Sequence, residues 1–261
     1  MLISFYAAPR ITARFYPVVL RNLLVWRKLA IPSIVGNIAE PLITLVAFGY
    51  GLGSMIGQID GLPYVTYLAS GSIAVSCALA ATFEALYSAF SRMQVQKTWE
   101  SIMNAPIALD DIVFAEMLWA ALKSMFSVAA ILIVIYALGI SRAPSMLLVL
   151  PLLGIVGVTF ASIALVFNAL AKGYDFFTYY FTLILTPMTF LSGVYFPISQ
   201  MPPWLQVVSK VLPLTAAVEL VRPLMIGEMP SDWLHPLLVL AAYALGGYYL
   251  ALVLTRRRFF K

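Results

Sequence analysis

Charge is scarce in this chain of 261 residues: 10% of positions are charged and 62% are hydrophobic, with a mean hydropathy of +0.96. Soluble domains carry about 25% charged residues, so a water-exposed surface of ordinary size is excluded and an integral membrane protein is expected. Cysteine occurs once, at Cys77 inside an apolar run, which excludes an intrachain disulfide and a cysteine-built metal site. Histidine also occurs once, at His235, and cannot form a metal cluster within one chain. There is no GxxxxGK[ST] phosphate loop, so the chain cannot hydrolyse ATP itself. Ser/His/Asp groupings and carboxylates paired at a catalytic spacing are missing too, and no enzymatic activity is expected. A proton- or sodium-coupled carrier would show paired membrane carboxylates and matched broken helices in two repeated halves; neither is present. Met1 to Ala8 is too short and too closely followed by arginines to read as a cleavable leader.

What the chain does have is long apolar runs. A bilayer core about 30 Å thick needs roughly 20 apolar residues of helix, and six candidate spans meet this, at about 32–56, 64–90, 112–138, 146–170, 176–196 and 233–254. The reading is an all-α membrane protein, a single domain over residues 1–261. Lys and Arg fix its orientation. With the N-terminus inside, the cytoplasmic parts hold 12 of them: Arg10, Arg14, Arg21, Arg27, Lys28, Arg92, Lys97, Lys172, Arg256, Arg257, Arg258 and Lys261. The outside holds 3, Arg142, Lys210 and Arg222, and Lys123 lies within a span. This asymmetry follows the positive-inside rule, and both termini inside agrees with an even number of spans.

Residues 1–31 form a basic amphipathic segment. Arg10, Arg14, Arg21 and Lys28 are spaced to share one helical stripe, so an interfacial helix against anionic lipid is expected, with Pro17 kinking or restarting it. Between the second and third spans runs the polar stretch 91–106, SRMQVQKTWESIMNAP. Its apolar residues Val95, Trp99, Ile102 and Met103 fall on one face of a short cytoplasmic helix. The connection over 197–232 holds two half-length apolar pieces around Pro213, neither long enough to span, which reads as an outer re-entrant hairpin.

Ionisable groups inside spans are expensive and therefore carry functional hypotheses. Glu84 precedes Arg92 by 8 residues, and Lys123 follows Glu116 by 7, which puts Glu84 and Lys123 at similar depths as a candidate buried ion pair. Fixing helix register and gating transport are both open roles for it. Glu40 stands directly before Pro41, where the helix is expected to bend or break. The run FFTYYFT at 176–182 is expected as an interfacial belt or a stacking surface for a glycolipid.

Three stretches resemble the membrane subunit of type-2 ABC exporters, in particular the nodulation-factor (lipochitooligosaccharide) export permease group. They are KTWESIMNAP at 97–106 followed by Asp110 and Asp111, FLSGVYFPISQMPPWLQ at 190–206, and LPLTAAVELVRPLMIG at 212–227. The resemblance covers essentially the whole chain. It implies six spans with a helix on the cytoplasmic surface before the first and a re-entrant pair before the sixth. It implies two permease copies working with two separate ATPase subunits, which hold the ATP and Mg; no cofactor is implied in this chain. It further implies that the 91–106 segment is a coupling helix, so Gln96, Lys97, Trp99, Glu100, Met103 and Asn104 become the expected ATPase contacts. On this resemblance the chain is an exporter permease of a bacterial inner membrane, moving a lipid-linked oligosaccharide or glycolipid. Glu40, Thr44, Phe48, Tyr179, Thr186, Phe190 and Ser192 are the candidates for the translocation path. Efflux of a drug or another lipid is the alternative within the family, and a non-transporting membrane assembly factor is the alternative outside it.

Overall fold

The computed structural model describes residues 5–260, so the first four residues of the expected interfacial segment, and Lys261 among the inside cations, lie outside the described residues. Among the described residues, ten helices follow one another besides a single 3-10 turn at Ile198–Gln200: α1 (Phe15–Arg27), α2 (Ala30–Ile56), α3 (Tyr64–Val95), α4 (Thr98–Met103), α5 (Leu109–Ala137), α6 (Met146–Leu170), α7 (175–191), α8 (Pro203–Lys210), α9 (Pro213–Ile226) and α10 (Leu234–Phe259). A two-residue hairpin, β1 (Gln58–Ile59) against β2 (Leu62–Pro63), turns the chain between α2 and α3. Five helices are long and apolar enough to cross a membrane: α2, α3, α5, α6 and α10. The pair α8 and α9, bent by 83°, is a sixth candidate if taken as one broken span. Three helical pieces of 6, 5 and 6 residues make up α7, which is roughly 26 Å long and a little short of a full crossing. It stops at Leu191, so the expected span to 196 ends five residues early; Gly193 then turns the chain with φ +68°.

Lipid gives helices no hydrophobic reason to associate, so close packing of small residues and interhelical hydrogen bonds must hold them. Both are present. An added Cβ on Gly157 of α6 would meet Ala121 Cα of α5 at 3.0 Å, and one on Gly247 of α10 would meet Ser162 of α6 at 3.2 Å. The helix α3 packs through Ala69, Ala74, Ala78, Ala81, Ala85 and Ala89, all buried. Across α3 and α6, Asn168 Nδ2 donates to the carbonyls of Ala85 (2.8 Å) and Leu86 (3.2 Å), which sit where α3 widens into a π turn. At the C-terminal end of α6, Arg258 Nη1 donates to the carbonyls of Asn168, Ala169 and Ala171 at 3.2, 3.0 and 2.6 Å. The Ala169 and Ala171 carbonyls would otherwise have no helical partner.

Two expectations change here. Arg10 and Arg14 precede the helix instead of sharing its stripe, because Asp110 and Asp111 hold the chain before α1. Asp110 accepts from the Arg10 amide (2.9 Å) and Asp111 from the Thr12 amide (2.7 Å). The helix α1 then starts at Phe15, with Pro17 in its first turn, and packs Val18 and Val19 on Ala115 and Trp119 of α5. Nor does Glu40–Pro41 break α2: the helix runs through Pro41 and shifts into a π stretch over Leu45–Leu52, which re-registers the bonds that the missing N–H removes.

Candidate functional site

The polar stretch 91–106 is two structures, not one helix. Residues Ser91–Val95 continue α3, and the chain breaks at Lys97, whose φ of +51° is left-handed and uncommon outside glycine. The break puts Val95 and Trp99 on different faces: Val95 is exposed, while Trp99 is 1% exposed. Trp99 therefore cannot serve as an exposed anchor. Its indole Nε1 donates to Glu116 Oε1 at 3.1 Å, and its ring stacks on Phe259 of α10 with centroids 6.1 Å apart. The other expected contact residues divide differently. Gln96, Lys97, Glu100 and Asn104 are exposed and Met103 is half-buried. Lys97 and Glu100 lie 3.8 Å apart on the outer edge of α4.

Beneath Trp99 lies a network of buried charges. Glu84 (α3) and Glu116 (α5) are 3% and 1% exposed. Arg92 bridges them, with Nε donating to Glu116 Oε1 at 2.9 Å and Nη2 donating to Glu116 Oε2 at 2.5 Å and Glu84 Oε1 at 2.8 Å. Lys123 Nζ donates to Glu84 Oε2 at 2.6 Å, and Trp119 Nε1 to Glu84 Oε1 at 2.9 Å. Glu84 and Lys123 thus meet, but Arg92 and Glu116 are equal members that the sequence reading left out. A fork-shaped guanidinium between two carboxylates is the geometry arginine supplies and lysine does not. Next to this network, Arg256 of α10 donates to both Asp110 oxygens, at 3.0 and 2.5 Å, and to the carbonyls of Phe5 and Ala7. The segment before α1, the start of α5 and the end of α10 are tied together there.

At the N-terminal end of α3 the other two signature stretches meet. Arg222 of α9 donates to the Gly193 carbonyl at 2.7 Å and to Ser70 Oγ at 3.1 Å, and lies 3.7 Å above the Tyr67 ring. Tyr67 Oη donates to the same Gly193 carbonyl at 2.9 Å. Gly71 lets this turn come close, since an added Cβ would sit 2.9 Å from Val194 Cα. Val-Arg-Pro and Ser-Gly-Val-Tyr-Phe-Pro are therefore two halves of one clamp.

The path candidates fall on two stripes. Glu40, Thr44 and Phe48 repeat every four residues along α2, and Tyr179, Thr186 and Phe190 follow one face of α7. All are exposed except Thr44, which is half-buried. Tyr195 joins the stripes, 6.3 Å from Phe48 and 5.4 Å from Phe190 between ring centroids. Ser192 is not on this face: it is fully buried. In the aromatic run, Phe177 and Tyr180 are buried, and Phe177 packs edge-on to Tyr87 and Phe90 of α3. Among the described residues no group of three or more His, Cys, Asp and Glu is placed to hold a metal ion.

Comparison with known proteins gives the family. The family described as ABC-2 type transporter matches residues 16–226. The chain is similar to nodulation protein J of Sinorhizobium fredii, 43% identical over 238 residues that cover 91% of each chain. Nodulation protein J of Rhizobium meliloti is 42% identical over 239 residues, again 91% of each. A more distant relative is the inner membrane transport permease YadH of Escherichia coli, 26% identical over 188 residues, 69% of this chain and 72% of that one.

Proposed function

The chain belongs to the ABC-2 type transporter family, and from that premise we propose that it is the permease subunit of a bacterial ATP-driven exporter for an amphipathic cargo such as a lipid-linked oligosaccharide or glycolipid. It is a membrane protein, and ABC-2 permeases carry no ATPase motif of their own and generally pair with an ABC ATPase subunit. The carrying observation is the two-sided build of α4. Its outer edge presents Gln96, Lys97, Glu100 and Asn104, while Trp99 reaches inward to Glu116. Through Arg92, Glu84 and Lys123, a displacement of α4 is handed to α3 and α5 together. In this reading two ATPase subunits, which hold the ATP and Mg, seat on the exposed edges of two permease copies. The charge asymmetry puts both termini in the cytoplasm, α1 in the headgroup plane, α7 as a short fifth span, and α8–α9 as a re-entrant pair on the outer side. Only 11% of the apolar window of α2 is buried within the chain, so its Glu40–Thr44–Phe48 stripe, with the α7 stripe beside it, is open to line a path facing the second copy. The cargo class rests on the similarity to proteins named nodulation protein J and on the aromatic joint of Phe48, Tyr195 and Phe190.

The test is a charge reversal on the edge. Glu100→Lys, expressed with the partner ATPase, is expected to abolish permease-stimulated ATP hydrolysis while the permease inserts normally; unchanged stimulation and assembly would sink the assignment. Single cysteines at Lys97 and Gln200 are expected to label from opposite sides of the membrane, and same-side labelling would overturn the topology.

A further inference from the structure

Between α1, the first turn of α2 and the inner ends of α3 and α5 lies a cavity of about 240 Å³. Arg21, Asn22 and Trp26 form one wall of it, and Arg92, Trp119 and Lys123 the other. Charge does not balance on this cavity. Three cations line it with one carboxylate, Glu84, and counting Glu116 behind Arg92 still leaves one positive charge over. Arg21 carries that surplus. Its only hydrogen bond to a side chain among the described residues goes to a neutral group, Nη1 donating to Asn22 Oδ1 at 3.0 Å. Burial, with Arg92 nearby, holds the Arg21 guanidinium below its ordinary range. Asn22 is the second independent sign. It is 3% exposed, and its Nδ2 has no hydrogen-bond partner among the described residues. A buried amide donor in a residue of the cavity wall thus lacks an acceptor. Val25 and Leu29 add an apolar side next to these donors, as suits a ligand with a charged head and a greasy body.

We propose that this cavity binds a phosphate-bearing anion of the kind an anionic phospholipid headgroup presents. Arg21 donates to the phosphate oxygens and supplies the net charge, Asn22 turns its unpaired Nδ2 toward them, and Arg92 and Lys123, each already paired with a carboxylate, close the far wall. Occupancy joins α1 to the network that α4 moves, so the anion makes the inner joint sensitive to the composition of the membrane.

The purified full-length chain, titrated with phosphatidylglycerol and with phosphatidylcholine and read by native mass spectrometry, tests this. Phosphatidylglycerol is expected to bind about fivefold tighter, which corresponds to about 1 kcal/mol for one basic contact. Arg21→Gln removes the preference, Arg21→Lys keeps most of it, and Arg27→Gln, an exposed cation on the same helix, leaves it intact. Inorganic phosphate that displaces the lipid at equal occupancy assigns the site to free phosphate; failure to displace assigns it to the lipid. Equal binding of the two lipids overturns the proposal outright, and equal loss in Arg21→Gln and Arg27→Gln overturns the site in favour of diffuse surface attraction. If Arg21→Gln does not fold, Asn22→Asp decides: a carboxylate in place of the free donor must abolish the preference, and a retained preference refutes the proposal.

Discussion

Each end of α3 holds a half-buried arginine, and the two are held by opposite means. At the C-terminal end Arg92 is neutralised by two buried carboxylates within 2.9 Å. At the N-terminal end Arg222 is held by a carbonyl, a hydroxyl and an aromatic face, with no carboxylate within ion-pair distance among the described residues. Its acidic neighbours, Asp60 and Glu219, stand back across an open hollow of about 670 Å³. A charge paired with charge in a water-poor interior resists separation strongly. A charge held by dipoles beside open solvent can exchange partners at smaller loss. The Arg92 joint is therefore the stiff one. The Arg222 clamp fixes the position of the Gly193 turn without committing a carboxylate to it.

The largest effect that bears on this contrast is expected at Arg92. Arg92→Met leaves Glu116 buried with only an indole N–H for company, and removing one partner of a buried pair costs roughly 3–5 kcal/mol. Thermal unfolding in detergent is expected to show a large drop, partly restored in Arg92→Met/Glu116→Met because the orphaned carboxylate is gone too. Additive losses in the double variant would show that the two residues contribute separately. Arg222→Lys ranks second. It keeps the charge but loses the fork that reaches Gly193 and Ser70 together, so about 1.5–3 kcal/mol is expected. A loss as large as that of Arg92→Met would erase the distinction between a stiff and a yielding end.

Much of the architecture was legible because length and apolarity are nearly sufficient for a membrane helix. The expected span at 146–170 coincides with α6, and the expected 64–90 lies inside α3. One failure has a plain physical cause: helical periodicity carries no information about where a helix stops. Val95 and Trp99 are four residues apart and look like one face, but the left-handed Lys97 between them separates an exposed valine from a buried tryptophan. Ser192 failed for a different reason: it lies two residues beyond exposed Phe190 and four beyond buried Met188, so it falls on the inward side. Depth arithmetic found Glu84 and Lys123, yet Arg92 and Glu116 read as edge charges. Only the packing of α3 on α5 shows that one guanidinium spans both carboxylates. The Arg222–Gly193 clamp joins residues 29 apart in sequence, and no local pattern announces it.

The smallest expected effect on stability sharpens the comparison from outside the network. Lys97 and Glu100 are 68% and 52% exposed and 3.8 Å apart, and exposed pairs of this kind contribute roughly 0–1 kcal/mol. Lys97→Ala/Glu100→Ala is therefore expected to leave the unfolding temperature nearly unchanged while weakening ATPase stimulation. Trp99→Phe is the counterpart two residues from Lys97. It keeps most of the ring packing and loses only the hydrogen bond to the Glu116 carboxylate, worth about 1.5–3 kcal/mol, so it should destabilise clearly more than the double alanine variant. If the double variant destabilises as much as Trp99→Phe, the outer edge of α4 belongs to the packed framework and is not a free docking surface. If neither does, the Trp99–Glu116 bond does not couple α4 to the Arg92 joint.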